Sequence, residues 1–180
     1  YYCTHSLAPL MTATGLMPRK VIGKVTANMA MSKRKGTPAG ASCDRGGILL
    51  VEMDEGVIFR AGGDNMFGSM GNWYRLSCEN GNIESVRGGD PKVRLSINPW
   101  ALDANSGYHT ENVYTPKETE LDEKAQGAGH GGSDFFVTWN FVQDLLNHRQ
   151  PFMNVYRATA LSAVGILGWR SALNNSVQLD

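Results

Sequence analysis

The order of apolar and polar positions divides the chain into a strand-rich first half and a helical end. Residues 20–31, KVIGKVTANMAM, alternate apolar with polar or small side chains and are partly β-branched, which predicts a strand. Residues 33–46 are polar and predict a loop. GILLVEMDEGVIFRAGGD then reads as a hairpin, in which 48–53 and 57–61 flank the turn residues Asp54, Glu55 and Gly56. WYRLSCENGNIESVRG repeats the pattern, with Glu79, Asn80, Gly81 and Asn82 as its turn. KVRLSI, 92–97, is a further strand. Short turns between five or six strands imply mostly antiparallel pairing.

Helical spacing brackets these strands. Residues 4–14 predict a short helix with Thr4 or Ser6 as N-cap, Pro9 in the first turn and Gly15 as C-cap; Met17-Pro18 closes that element. Residues 98–128 read as a long polar loop that carries Trp100, Tyr108, His109 and Tyr114. Loops beyond about 15 residues in a compact domain are usually functional or disordered. Residues 133–150 predict a helix with Phe136, Trp139, Val142 and Leu146 on one stripe, Ser133 as N-cap, Asp134 at the positive end of the dipole and Pro151 as its stop. Residues 154–173 predict a second helix, whose small residues Ala158, Ala160, Ala163, Gly165 and Gly168 permit close packing on a sheet. The fold class is α+β: an open, mostly antiparallel sheet with helices packed on one face.

Composition narrows the function. With 180 residues and 42% hydrophobic content, one domain, 1–180, is the expected count. Lys+Arg and Asp+Glu are both 17, so no basic excess points to nucleic acid; Lys33-Arg34-Lys35 reads as solvated loop. The three cysteines form no CxxC pair, which argues against a structural zinc site or a disulfide framework. No apolar run approaches the roughly 18 residues that span a bilayer, and no signal peptide is visible. The chain opens on YYCTH without methionine and is expected to be a fragment, with SVQLD starting an extended segment at its other end.

Four histidines are the main candidates for chemistry. His130 lies in GAGHGGSDFF, where glycines allow positive φ and let a ligand approach the backbone. Amides 131–133 could point outward there to hold an anion or a hydroxyl; the alternative is a solvent-facing junction between loop and helix. His5 stands near a helix start, which favours the uncharged ring and suits a general base; an ordinary capping or packing role is the alternative. His109 is a candidate ligand contact, and His148, late in a helix, reads as a surface residue. GHGG is not the GxGxxG dinucleotide fingerprint, and AGGDNMFGSMG, 61–71, lacks its strand-to-helix context. The acidic ETELDEK stretch reads as solvated loop, and no carboxylate pair or Ser-His-Asp set stands out.

Three segments together carry a resemblance: YCTHSLAPLMTATG, the turn-rich strands, and GHGGSDFF continuing through NVYRATALSAVGILGWRSAL. They resemble the C-terminal domain of the Gfo/Idh/MocA family of NAD(P)-dependent oxidoreductases, in particular the NAD-dependent glycosidases of glycoside hydrolase family 109, α-N-acetylgalactosaminidases. The resemblance implies an N-terminal Rossmann domain, absent here, that holds NAD or NADP. This chain would then be the substrate-pocket and oligomerisation domain, with no cofactor-binding residues of its own and no metal. Tyr2 and His5 match the branch's Tyr-x-x-His, implying catalytic roles: His5 as acid/base at a sugar hydroxyl, Tyr2 binding the sugar or assisting elimination. His130 matches the GHGG histidine, implied to contact substrate at the pocket rim. Tyr108, His109 and Tyr114 of the long loop are added as candidate substrate contacts. Ala8 departs from the glycine that the branch has before Pro9. The implied partners are a carbohydrate, the missing Rossmann domain and a second copy through the sheet face, with no nucleic acid and no membrane.

Overall fold

A computed structural model describes residues 3–26, 29–30, 42–43, 46–64, 71–88 and 91–180. Two compact units divide the chain: Tyr1–Asn72 with Phe152–Asp180, and Trp73–Pro151.

The first unit is a sheet covered on one face by two helices. Helix α1, Cys3–Thr14, precedes strand β1, Pro18–Val25, and a small pair, β2 at Met29–Ala30 and β3 at Ser42–Cys43. Strands β4, Gly46–Met53, and β5, Ile58–Asp64, complete a three-stranded antiparallel sheet in the order β1-β4-β5. The predicted turn between β4 and β5 is present: Asp54–Gly56 form a short 3-10 turn in which Glu55 (φ 60°) and Gly56 (φ 73°) are left-handed. The Asp54 carboxylate accepts the Met17 amide at 2.8 Å, tying that turn to the residues just before β1.

Burial alternates along these strands as a half-covered sheet requires. Val21, Leu49, Val51, Met53, Phe59 and Ala61 are buried on the inner face. α1 contributes Cys3, Leu7, Leu10 and Met11, spaced as one helical stripe. The long helix of this unit, α4, Val155–Leu173, lies against β1 and α1. Its small residues work as the sequence predicts. A Cβ on Gly23 would strike the Gly168 carbonyl, and one on Gly168 would strike the Leu49 side chain. Buried Ser171 stitches the layers: its hydroxyl accepts from the Gly23 amide at 3.0 Å and donates to the Val177 carbonyl at 2.5 Å. The chain end is extended, as predicted, and Leu179 exchanges two backbone bonds with Val21, at 2.8 and 3.0 Å.

The second unit holds a four-stranded antiparallel meander: β6 (Arg75–Cys78), β7 (Gly81–Ser85), β8 (Val93–Ile97) and β9 (Glu111–Tyr114). Helix α2, Glu120–Ala125, and helix α3, Ser133–Leu146, follow. Every named strand pair is antiparallel, so the α+β class with antiparallel sheets holds.

Several local expectations are corrected. α1 begins at Cys3, so Thr4 and Ser6 lie inside it, and Pro9 is in the helix body rather than its first turn. Ser6 instead donates its hydroxyl to the Gly62 carbonyl at 2.6 Å. The proline is tolerated because it sits on the exposed side, opposite the buried stripe. Gly15 does cap the helix, with φ 77° and its amide on the Met11 carbonyl at 2.8 Å. The loop expected over 98–128 contains β9 and α2. ETELDEK is helical because Thr119 and Asp122 form a reciprocal capping box. α3 stops at Leu146, before Pro151, and its N-cap is Gly132 rather than Ser133. The stripe read on it is not buried: Phe136 and Trp139 are half-buried, while Val142 and Leu146 are exposed. The basic run 33–35 lies outside the described residues.

Candidate functional site

In the first unit, His5 occupies the opening turn of α1 and is exposed. Cys3 and Leu7, on either side of it in the helix, are buried, so the opposite face carries His5 outward together with Pro9. Thr4 packs where a Cβ on Gly165 would come within 3.1 Å of its methyl, so the helix carrying His5 is seated closely on α4. His5 is thus held, exposed, on a rigid element. Tyr2 lies outside the described residues.

In the second unit, the segment ahead of α3 is a built turn. Gly127, His130, Gly131 and Gly132 are all left-handed, with φ of 88°, 53°, 64° and 94°. A non-glycine residue in that region costs about 1–2 kcal/mol, so the conformation of His130 is enforced by its surroundings. Gly132 is buried, and a Cβ there would meet the Ala125 methyl at 3.2 Å. Gly129 has ordinary φ but no room: its Cβ would collide with the Asp134 carboxylate. That carboxylate holds His130, whose Nδ1 lies 2.9 Å from Oδ1 and 3.1 Å from Oδ2.

Of the two readings of this segment, the arrangement favours the junction between loop and helix over the anion cradle. The Gly132 amide bonds the Ala128 and Gly129 carbonyls, and the Ser133 amide bonds the His130 carbonyl. Two of the three donors, at 132 and 133, are spent within the turn, and a carboxylate already stands beside it. Asp134 was expected to serve the helix dipole; its orientation toward His130 was not. The two residues are four apart, but it is the left-handed turn at 130–132, not helical spacing, that brings them together, so the sequence carried no clear signal for the pairing.

The remaining candidates sit on and before β9. Tyr108 (49% exposed) and Tyr114 (41% exposed) are brought within interaction distance. Partial desolvation first, then the charge and hydrogen bond of Tyr108, hold the Tyr114 phenol above its ordinary range. Tyr114 therefore stays a neutral donor at neutral pH. The His109 amide donates to Asn112 Oδ1 at 3.1 Å, and Asn112 Nδ2 donates back to the His109 carbonyl, which fixes the turn leading into β9. Among the described residues, no group of three His, Cys, Asp or Glu side chains gathers to hold a metal.

The fold is shared with an oxidoreductase. The structure of aldose-aldose oxidoreductase from Caulobacter crescentus, complexed with glycerol, superposes with a TM-score of 0.63 over 98% of this chain and 45% of that one, at 14% identity. Residues 103–180 match the glycosyl hydrolase 109 C-terminal domain. A glycosyl hydrolase family 109 protein of Shewanella pealeana is 33% identical over 82 residues, 45% of this chain and 18% of the relative. Its counterpart in Shewanella woodyi is 32% identical over 88 residues, 48% of this chain and 18% of the relative. The resemblance read from the sequence thus agrees with a glycosyl hydrolase 109 C-terminal domain match over residues 103–180 and with a fold shared along the chain. The matches span about a fifth of the curated relatives' length, and the chain spans under half of the solved one.

Proposed function

We propose that this chain is the substrate-binding portion of an NAD(P)-dependent enzyme that transfers hydride at a carbohydrate hydroxyl carbon. The observation that carries the reading is the match of residues 103–180 to the glycosyl hydrolase 109 C-terminal domain, on a fold shared with an aldose-aldose oxidoreductase. The GHGG amides at 132 and 133 are bonded internally and Asp134 stands beside them, so that turn offers little to a dinucleotide phosphate. The dinucleotide, which supplies the hydride acceptor, belongs to a Rossmann partner domain within the length of the relatives that this chain does not cover.

The roles left to this chain are orientation and proton handling. His5, exposed on a helix locked by Leu7, Leu10 and Met11, is the general acid/base at the sugar hydroxyl, a task that an imidazole suits near neutral pH. Tyr2 assists it. The neutral phenol of Tyr114, with Tyr108, His109 and His130, binds hydroxyls of the substrate.

A second reading, favoured by the family match, is an NAD-dependent glycosidase, a class that needs no carboxylate pair. The two separate in one assay. Protein extended to the length of the curated relatives is incubated with NAD, free sugars and aryl glycosides. NADH formation supports the oxidoreductase; phenol release without net NADH supports the glycosidase; neither product contradicts both. The 180-residue chain by itself is expected to show no turnover.

The outer face of the β1-β4-β5 sheet is the proposed contact with a second copy. Exposed Ile48 and Leu50 of the central strand and Ile58 of edge strand β5 lie on it, with Lys20, Glu52 and Arg60 beside them. Light scattering that finds a strict monomer at high concentration contradicts it.

A further inference from the structure

We infer that Asp134 is a positioning residue for His130: it fixes the neutral imidazole with its proton on Nδ1, leaving Nε2 to accept a hydrogen bond from a substrate hydroxyl. The inference deepens, and rests on, the carbohydrate reading above.

Three observations carry it. Asp134 lies in the first turn of α3, where a carboxylate ordinarily bonds the free helix amides. Here no side chain caps that helix, and both Asp134 oxygens face Nδ1 instead, at 2.9 and 3.1 Å. Next, the backbone makes room for this pairing. Gly129 has φ −59°, which any residue adopts, yet any side chain there would collide with the Asp134 carboxylate. The space beside Gly129 is what Asp134 fills when it reaches the ring, so a Cβ at 129 would displace the carboxylate from its present position. Third, the ring is offered outward, with the His130 side chain 83% exposed. A carboxylate on one ring nitrogen determines the tautomer and so the chemistry of the other.

The rival explanation is a plain ion pair at a helix start, which needs a charged imidazolium and no tautomer. Nitrogen NMR of the 180-residue chain, at a pH where the ring is neutral, separates the two. The wild type is expected to show His130 protonated on Nδ1. Asp134→Asn should shift the ring toward the Nε2-protonated form, and Asp134→Glu should restore part of the original state. Gly129→Ala, which leaves Asp134 in place but pushes its carboxylate away, should reproduce the Asn effect. Amide spectra of each variant report whether the fold persists. The same tautomer in wild type, Asp134→Asn and Gly129→Ala overturns the inference. Titration with N-acetylgalactosamine should then move the Nε2 resonance in the wild type and less in Asp134→Asn. Sugar that shifts other resonances but not Nε2 overturns the hydroxyl contact. Sugar that shifts nothing counts against the carbohydrate reading, while the tautomer result still decides what Asp134 does.

Discussion

The two units differ most in what they bury. The first has a core contributed by every layer: Leu7, Leu10 and Met11 of α1, Val21, Leu49, Val51, Met53, Phe59 and Ala61 of the sheet, and Val164 of α4. In the second, the described residues that are fully buried are two small ones, Ala125 and Gly132. Its meander still sorts side chains by face. Pairing aligns Leu76, Ile83 and Leu95 on one side and Arg75, Glu84 and Arg94 on the other. Arg94 and Glu84 form an ion pair at 3.1 Å, yet none of the apolar partners is fully covered. The lesson is a division of labour. The first unit holds itself together and presents His5 from a fixed helix. The second places tyrosines and the His130 turn on a scaffold with little core of its own.

That contrast yields graded predictions. The largest effect is expected from Leu7→Ala, which empties a fully buried site and should cost about 4 kcal/mol in urea denaturation. Gly23→Ala comes next, at about 3 kcal/mol, because its methyl meets the Gly168 backbone, which no rotamer change can relieve. Leu95→Ala in the second unit should cost only about 1 kcal/mol, since that side chain is half-exposed in the native state. A loss at Leu95 equal to that at Leu7 would break the comparison.

The smallest effect is electrostatic. Hydrogen bonds from the Thr119 side chain and backbone hold the Asp122 carboxyl below its ordinary range. A folded-state value below the unfolded one means the contribution is present above the unfolded value and lost as pH falls through the folded one. The start of α2 should therefore fray at acid pH, below the usual carboxylate range, seen as collapse of the Thr119 amide shift. Persistence of that shift after Asp122→Asn would contradict the assignment.

Legibility followed the same division. In the first unit the period-two pattern of β4 and β5, the turn at Asp54–Gly56 and the small residues of α4 were readable because burial enforces them. The second unit hid more. β9 is four residues long and α2 six, too short for a periodic signal, although the Thr119 and Asp122 spacing marks a capping box. The apolar stripe of α3 misled, since periodicity predicts which residues share a face and not whether anything covers it. Around His130 the glycines signalled positive φ correctly, at 127, 131 and 132. The amides there serve the turn itself, a competition between internal and ligand bonds that composition does not reveal.

The central claim is that His5 handles the proton at a carbohydrate hydroxyl. It is tested most directly by His5→Gln in protein extended to the length of the curated relatives, with kcat measured on the substrate found above. The account predicts a fall in kcat of about 10²–10⁴-fold with dinucleotide affinity unchanged. Wild-type kcat in that variant would contradict it.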